Sequence, residues 1–134
     1  MMKKTHVASA VALSVYLHLN PVFLISGSLF PDIDIVLARY GLGKHRGFLH
    51  SIIASMLFST IIYTFLGSIN ATSFLTGYLA HLLLDSMTRM GVPFFAPFST
   101  RRIRILDGLA VKTGGIADNL IFLLLIFLAI RKFI

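Results

Sequence analysis

FLHSIIASMLFSTIIYTFLGSINATSFLTGYLAHLLLD, residues 48–85, contains no aspartate, glutamate, lysine or arginine before its last residue, Asp85. The stretch contains one apolar run, residues 48–67, and most of a second, residues 73–90, and each run is long enough to cross a lipid bilayer. Between them, GSINATS has the composition of a turn. Because elements joined by a short connection pack as neighbours, the stretch predicts a transmembrane hairpin of two antiparallel helices.

The composition of the whole chain is typical of an integral membrane protein. Of its 134 residues, 57% are hydrophobic and 13% are charged, and the mean hydropathy is +0.88. No shift in composition marks a boundary, so residues 1–134 are expected to form a single domain. The net charge of +7 favours contact with anionic lipid headgroups. Since the chain has no cysteine, disulfides and thiolate metal sites are excluded.

The N-terminal apolar segment, residues 7–30, is interrupted at HLNP, where proline breaks a helix. Each half has about a dozen residues, or roughly 18 Å of helix, so we expect two short helices that re-enter the same side of the membrane. One helix crossing over residues 7–30 is the alternative. A cleaved signal peptide is a further alternative, since MMKK precedes an apolar run, but that run continues past Pro21 where a polar cleavage region belongs.

The rest of the chain completes an all-α prediction. PDIDIVLARYGLGKHRG, residues 31–47, is a polar connection with a short helix over 33–40, and a last helix is expected from 116 to 132 after a long loop. The predicted fold is a polytopic membrane helical bundle. It has an N-terminal short helix pair, a central transmembrane hairpin and a C-terminal transmembrane helix.

Basic residues predict the side of the membrane that the loops occupy. With re-entrant N-terminal helices, one side carries Lys3, Lys4, Arg39, Lys44, Arg46, Arg101, Arg102, Arg104 and Lys112. Arg131 and Lys132 fall on the opposite side. Because cytoplasmic loops are enriched in lysine and arginine, the more basic side is expected to be cytoplasmic in a multi-pass protein of the inner or plasma membrane.

Histidines and aspartates of the hairpin gather near that same face. His81 and Asp85, four positions apart in HLLLD, point to one side of a helix. Folding the hairpin about residues 67–72 brings His50 to within roughly 6 Å of the level of Asp85. A carboxylate in a membrane span is costly, so its presence predicts that Asp85 has a functional role and is paired with another group.

Further candidates flank the hairpin. Asp32 and Asp34 surround Ile33, so in an extended segment both carboxylates face the same way. His45 and, with re-entrant helices, His6 fall near the same face. Imidazole and carboxylate donors without thiolates suit zinc, with manganese or iron as alternatives, and a set of this size could hold one or two divalent ions.

Structural roles compete with metal binding at several positions. A histidine and an aspartate one turn apart often form only a hydrogen bond, and Asp32 after a proline can cap the helix over 33–40. Asp118, at the start of the last helix, is interpreted as a cap rather than a ligand. Ser51 and Thr88 lack an evident base, so a serine-type mechanism is disfavoured.

Ordered motifs resemble the YdjM family of membrane-bound, predicted metal-dependent hydrolases. They are TH at residues 5–6, LFPDID at 29–34, HRGFLHS at 45–51 and GYLAHLLLDSMTRMGVPFFAPF at 77–98, with a weaker TGGIADNLI at 113–121. The resemblance implies a metal site formed by His6, Asp32, Asp34, His45, His50, His81 and Asp85. The pattern is more distantly similar to zinc-dependent phospholipase C and nuclease P1-type enzymes, which implies phosphate-ester chemistry.

These observations together predict a membrane-bound hydrolase. Metal-activated water would attack a phosphate-ester or lipid-like substrate at the cytoplasmic interface, and Arg46 is the expected catalytic contact to its anionic group. The alternative is a non-enzymatic membrane protein, either a metal transporter component or a stress-associated membrane factor. Membrane lipids are expected partners, and nucleic acid is disfavoured because RRIRILDGLAVK lacks interleaved aromatics. The sequence does not determine the oligomeric state.

Overall fold

The computed structural model of the protein describes residues 1–43, 45–106, 108–132 and 134. Lys44, one of the basic residues assigned to the cytoplasmic side, lies outside the described residues. The described residues form six α-helices: α1 Lys3–Leu17, α2 Pro21–Leu29, α3 Ile33–Arg39, α4 Ile52–Leu66, α5 Ser68–Ser86 and α6 Ile116–Arg131. Two 3₁₀ turns, Phe30–Asp32 and Phe48–His50, shortly precede α3 and α4. This part of the chain contains isolated β-bridges but no strand, so the all-α prediction is confirmed.

The first two helices form a pair that turns back on itself. α1 ends where His18 adopts a left-handed backbone conformation with φ 54°, and α2 begins with Pro21. The Asn20 side chain accepts a hydrogen bond from the Val22 backbone N–H at 3.1 Å, which caps α2. The predicted break at HLNP is therefore confirmed, and the alternative of one helix across residues 7–30 is wrong.

The PDID segment is helical rather than extended. Phe30–Asp32 forms a 3₁₀ turn, and the backbone N–H of Ile33 bonds back to carbonyl oxygens of that turn. α3 then begins at Ile33, as the predicted helix over 33–40 requires. The expectation of an extended segment at Asp32 and Asp34 is wrong, because hydrogen bonds within the turn satisfy the backbone that a strand would have to pair elsewhere.

α4 and α5 form the predicted hairpin with a tighter turn than the sequence indicated. α4 ends at Leu66 and α5 begins at Ser68, so Gly67 alone joins them. Gly67 has φ 85°, a conformation that side chains with a Cβ rarely adopt. Most of GSINATS therefore belongs to the first turns of α5, and both helices are shifted from the predicted ranges.

α2 packs against α5 by direct backbone contact. A Cβ added at Gly77 would lie 2.0 Å from the Leu24 carbonyl oxygen, and one at Gly27 would lie 2.1 Å from the Phe74 carbonyl oxygen. Glycine at helix interfaces allows backbones to approach in this way. Gly77 thus admits the backbone of α2 as a close neighbour. Beside this contact lies the apolar core of Ala54, Phe74, Tyr78, Leu82 and Val92.

α6 packs on α1 and fixes the N-terminal end of that helix. The Asp118 carboxylate accepts hydrogen bonds from the Thr5 hydroxyl at 2.7 Å and the Met2 backbone N–H at 3.0 Å. It also accepts from the Gly114 backbone N–H at 2.8 Å, which closes the turn before α6. This contact, named the α1–α6 clamp, holds His6, the residue after Thr5, in place.

One continuous helical run among the described residues is long and apolar enough to cross a membrane. It covers Pro21–Arg39, through α2, the first 3₁₀ turn and α3, and has 19 residues. Ile52–Leu66 is apolar but shorter. α4 and α6 also expose large apolar side chains, among them Leu57, Phe65 and Phe127. Extended apolar outer surfaces mark sites of contact with lipid or protein rather than water.

Candidate metal centre

Histidine and aspartate side chains from four parts of the chain meet in one buried site beside α5. His6 comes from α1, Asp32 and His50 come from the two 3₁₀ turns, and His81 and Asp85 come from α5. The three histidines have no exposed surface, and Asp85 is 2% exposed. The structure therefore brings together five of the seven residues for which metal binding was predicted.

His81 and His50 face each other across this site, with their Nε2 atoms 3.2 Å apart. The other ring nitrogen of His81, Nδ1, lies 2.7 Å from the Ser28 carbonyl oxygen, so Nδ1 carries the proton and donates it. Nε2 of His81 therefore presents a lone pair to the site. Asp85 Oδ2 lies 3.7 Å from each Nε2, and Asp32 Oδ1 lies 3.9 Å from that of His81.

His6 closes the site from α1. Its ring stacks on that of His81, with centroids 3.9 Å apart and an interplanar angle of 16°. Its Nε2 lies 3.3 Å from Asp85 Oδ1, and neither ring nitrogen has a hydrogen-bond partner among the described residues. Because a buried polar atom without a partner costs about 1–3 kcal/mol, this ring is suited to a ligand other than protein.

Two overlapping groups of donors have the spacing of a metal site. One group is His6, His81 and Asp85, the other is Asp32, His50 and His81, and the ligand atoms within each lie within 4.8 Å of one another. Donors bound about 2.0–2.1 Å from a tetrahedral zinc lie roughly 3.3 Å apart, so these separations need little adjustment. The donors present thus fit a divalent metal. His81 has one free nitrogen, which can bind one ion at a time.

Asp34 and His45, also predicted as ligands, lie behind His50 and outside these two groups. Asp34 Oδ1 accepts a hydrogen bond from His45 Nδ1 at 2.8 Å, and Oδ2 accepts one from the Arg46 backbone N–H at 2.7 Å. Oδ2 also lies 2.9 Å from His50 Nδ1. In metal sites, a carboxylate behind a histidine orients the ring and increases its basicity. A direct ligand role for Asp34 and His45 stays a prediction.

Arg46, the predicted anion contact, forms an ion pair within the site. Its Nη2 lies 2.7 Å from Asp85 Oδ2, and its Nη1 donates to the Thr88 hydroxyl and the Gly91 carbonyl oxygen, both at 2.9 Å. Its backbone has φ 58° and is held by the hydrogen bond to Asp34. Burial lowers the pKa of the Arg46 guanidinium and Asp85 opposes that shift, so the side chain stays charged. Nε is its donor without a partner.

Sequence reasoning missed several groups that position the site. Nothing in the sequence signals the Ser28 carbonyl oxygen that sets the His81 tautomer, because any residue carries a carbonyl group. Thr88, which the sequence analysis treats only as a possible nucleophile, is one of these groups. Its hydroxyl accepts a hydrogen bond from Arg46 and donates one to the Asp85 carbonyl oxygen at 2.7 Å. Its position one turn after Asp85 is the sequence feature that indicates this contact.

Two curated proteins of Methanothermobacter thermautotrophicus, the uncharacterized proteins ORF4 and ORF4', are each 34% identical to the chain over 65 residues. The match covers 48% of this chain and 27% of each relative, so the chain spans only about a quarter of their length. No solved structure matches the chain. The likeness to zinc-dependent phospholipase C and nuclease P1-type enzymes stays a prediction.

The sequence profile of the YdjM inner membrane protein family matches residues 1–133. That range includes the whole of the described bundle except residue 134, and every histidine and aspartate of the site. The chain belongs to the YdjM inner membrane protein family.

Proposed function

We propose that this protein is a membrane-embedded, metal-dependent hydrolase that acts on a phosphate-ester or lipid-like substrate. One observation carries the proposal: the Nε2 atoms of His50 and His81, 3.2 Å apart, and the His6 ring, whose nitrogens form no hydrogen bond with the described residues, converge on two carboxylates in a buried site. The donors suit one or two divalent ions, zinc first, with manganese or iron as alternatives. When bound, such an ion supplies Lewis acidity and lowers the pKa of water.

The protein's own groups hold the proposed site in a fixed arrangement. The Ser28 carbonyl oxygen keeps the proton of His81 on Nδ1, and Asp34 lies against Nδ1 of His50, so both rings direct Nε2 inward. Asp34 and His45 act in this proposal as supporting residues, with direct binding to a second ion as their other role. Preorganised donors of this kind need no rearrangement during the reaction.

Arg46 is proposed to contact the anionic group of the substrate. Its positive charge lies at the site through the pair with Asp85, and its Nε remains available as a donor. A guanidinium is suited to phosphate because its planar donors match two phosphate oxygens. In this role Arg46 would orient the substrate and stabilise charge that develops on it.

The proposed topology places the metal centre at the cytoplasmic face of a multi-pass bundle. The turns that carry Asp32 and His50 lie at the same end of the bundle as the start of α1 and the end of α5. Basic residues cluster in the segments at that end, which is the pattern of cytoplasmic loops. Substrate would then reach the site from the cytoplasm or from the inner leaflet.

Metal content tests the proposal first. Elemental analysis of detergent-purified protein is expected to find about one or two divalent ions per chain, and His81→Ala and Asp85→Ala are expected to lose them. His6→Ala is a second route, in case Asp85→Ala does not fold. His18→Asn is the matched control, because His18 lies outside the site in a left-handed conformation that asparagine tolerates.

Activity tests the reaction. Hydrolysis of a chromogenic phosphodiester by the metal-loaded protein is expected to fall by about a hundredfold or more in His81→Ala and to persist in His18→Asn. Protein without stoichiometric metal that keeps its fold in both site variants would overturn the proposal.

A non-enzymatic role is the alternative, and one observation favours it. Arg46 and the α-amino group of Met1 both contact Asp85, so this carboxylate already has positively charged partners. The cluster would then be a structural network or part of a metal transporter. Metal uptake into proteoliposomes without hydrolysis of any phosphodiester would favour this alternative.

A further inference from the structure

The loop after α5 encloses a cavity rich in arginine. Its two arms are joined by a pair of hydrogen bonds, from Val92 N–H to the Ile103 carbonyl oxygen at 3.0 Å and from Ile103 N–H to the Val92 carbonyl oxygen at 2.9 Å. The cavity between them has a volume of about 620 Å³, within the range of small-ligand sites. We name it the arginine cavity; it is lined by Phe95, Ser99, Arg101, Arg102, Ile103 and Arg104.

The arginine cavity concentrates positive charge. Residues 86–106, which include every residue that lines the cavity, contain no aspartate or glutamate, and Asp107 follows directly in the sequence. Within the part of the chain that the structure describes, no carboxylate forms an ion pair with Arg101 or Arg102, whose side chains are exposed. Like charges held together in a concave surface attract an anion. The inference rests on Arg101 and Arg102 and does not require a free Arg104.

The donors of the cavity match a phosphate group. Guanidinium groups bind phosphate oxygens in pairs, which a single lysine cannot do. The Ser99 hydroxyl oxygen accepts a hydrogen bond from the Arg101 backbone N–H at 3.3 Å, so its own proton remains to be donated to a ligand. The set is therefore suited to the charged oxygens of a phosphate ester.

Exposed apolar side chains of the loop that forms the cavity favour a lipid as the source of the phosphate. Phe98 is 88% exposed and Leu109 is 83% exposed, while Phe95 and Ile105 are more than half exposed. Large apolar side chains beside arginine are typical of protein surfaces at the headgroup level, where apolar groups enter the acyl region and cations contact phosphate. A free phosphate ion would make no use of these side chains.

The cavity is anchored beside the metal centre. The Ile105 N–H donates to the Ser86 carbonyl oxygen at 3.0 Å, directly after Asp85. The Arg104 side chain crosses Gly91, where an added Cβ would lie 2.8 Å from Arg104 Cγ, and the Gly91 carbonyl oxygen accepts from Arg46 Nη1. A headgroup in the cavity would therefore lie next to the Arg46–Asp85 pair.

We propose that the arginine cavity binds the phosphate of an anionic phospholipid headgroup in the cytoplasmic leaflet. The cavity and its apolar surround recognise the lipid whether or not the metal centre hydrolyses it. The inference is therefore independent of the proposed reaction. It assigns Arg101 and Arg102 a binding role in addition to the topology role that their charge implies.

Lipid retention by the full-length protein tests this inference. Detergent-purified protein is mixed with equal amounts of phosphatidylglycerol and phosphatidylcholine, and the bound lipid is counted by native mass spectrometry. Wild type is expected to retain phosphatidylglycerol preferentially. The double variant Arg101→Gln/Arg102→Gln is expected to retain at least about tenfold less phosphatidylglycerol than wild type, since each cation near the surface contributes to anionic lipid binding.

A matched double variant, Arg131→Gln/Lys132→Gln, removes the same charge from the far end of α6 and is expected to bind like wild type. Equal losses in both double variants, or no loss in either, would overturn the inference. If inorganic phosphate competed for the cavity as effectively as the lipid does, the inference that the bound phosphate belongs to a lipid would be overturned. Metal content is measured in parallel, and unchanged content in Arg101→Gln/Arg102→Gln separates this result from a failure of the metal centre.

Discussion

Asp34 illustrates how one residue can organise a site without lying at its centre. Its two carboxylate oxygens contact His45, the Arg46 backbone and His50, so it ties together the loop between α3 and α4. The left-handed backbone of Arg46 depends on that contact, and the Arg46 side chain in turn reaches Asp85. A change at Asp34 should therefore affect both the orientation of His50 and the position of the arginine.

Asp34→Asn distinguishes this supporting role from direct metal binding. The amide keeps an oxygen for one donor but cannot maintain the contacts to His45, His50 and Arg46 together, so we expect metal affinity to fall about 10- to 100-fold. Chelator titration followed by elemental analysis measures the change. Complete loss of metal without chelator, equal to that of Asp85→Ala, would instead identify Asp34 as a ligand.

The Arg46–Asp85 pair predicts a difference between single and double substitutions. Asp85→Leu leaves the Arg46 charge buried without its carboxylate, and we expect it to cost about 3–5 kcal/mol of unfolding free energy. The double variant Arg46→Met/Asp85→Leu removes both charges and is expected to be more stable than the single variant. Thermal unfolding in detergent, followed by circular dichroism, measures both. If the double variant unfolds at a temperature no higher than that of Asp85→Leu, the assignment of Arg46 and Asp85 as a buried ion pair is contradicted.

At the scale of elements, the contact between α2 and α5 sets the geometry of the candidate metal centre. Gly77 lies one turn before His81 on α5, and its missing Cβ leaves room for the backbone of α2. Ser28, whose carbonyl oxygen accepts from His81 Nδ1, lies on the same part of α2. The His81 tautomer that presents the Nε2 lone pair to the site therefore requires close packing of the two helices.

Gly77→Ala tests this dependence. The new methyl group would lie 2.0 Å from the Leu24 carbonyl oxygen and 3.0 Å from the Ser28 backbone nitrogen, so α2 must move away. We expect destabilisation at or above the usual 1–3 kcal/mol of overpacking, together with reduced metal content. Thr72→Ala, at an exposed position of α5, is the control and should leave both quantities close to wild type. Normal metal content in Gly77→Ala would show that the site tolerates displacement of α2.

At the scale of the whole molecule, the predicted parts of the fold are those with local signals. The break at HLNP follows from proline and an asparagine cap, and the hairpin follows from two apolar runs, so both were visible in the sequence. The division of the site into a buried donor set and the supporting pair Asp34 and His45 was not visible. It depends on 3₁₀ turns and on contacts between helices, which leave no periodic pattern.

The absence of cysteine from the chain allows a direct test of the proposed topology. Thr100→Cys lies in the loop between α5 and α6 and Lys132→Cys lies beyond α6, so the proposed multi-pass bundle with a cytoplasmic metal centre places them on opposite sides. A membrane-impermeant maleimide is expected to label Lys132→Cys in intact cells and Thr100→Cys only after permeabilisation. Labelling of both positions in intact cells would contradict the cytoplasmic assignment.

The α1–α6 clamp has a consequence for biosynthesis. The ribosome makes His6 early and Asp118 more than a hundred residues later, yet the Thr5–Asp118 hydrogen bond spans both ends of that interval. Until α6 has left the exit tunnel and packed on α1, α1 lacks this hold, and His6 is not fixed beside His81. Completion of the candidate metal centre therefore belongs to the end of folding, after translation has delivered the last helix.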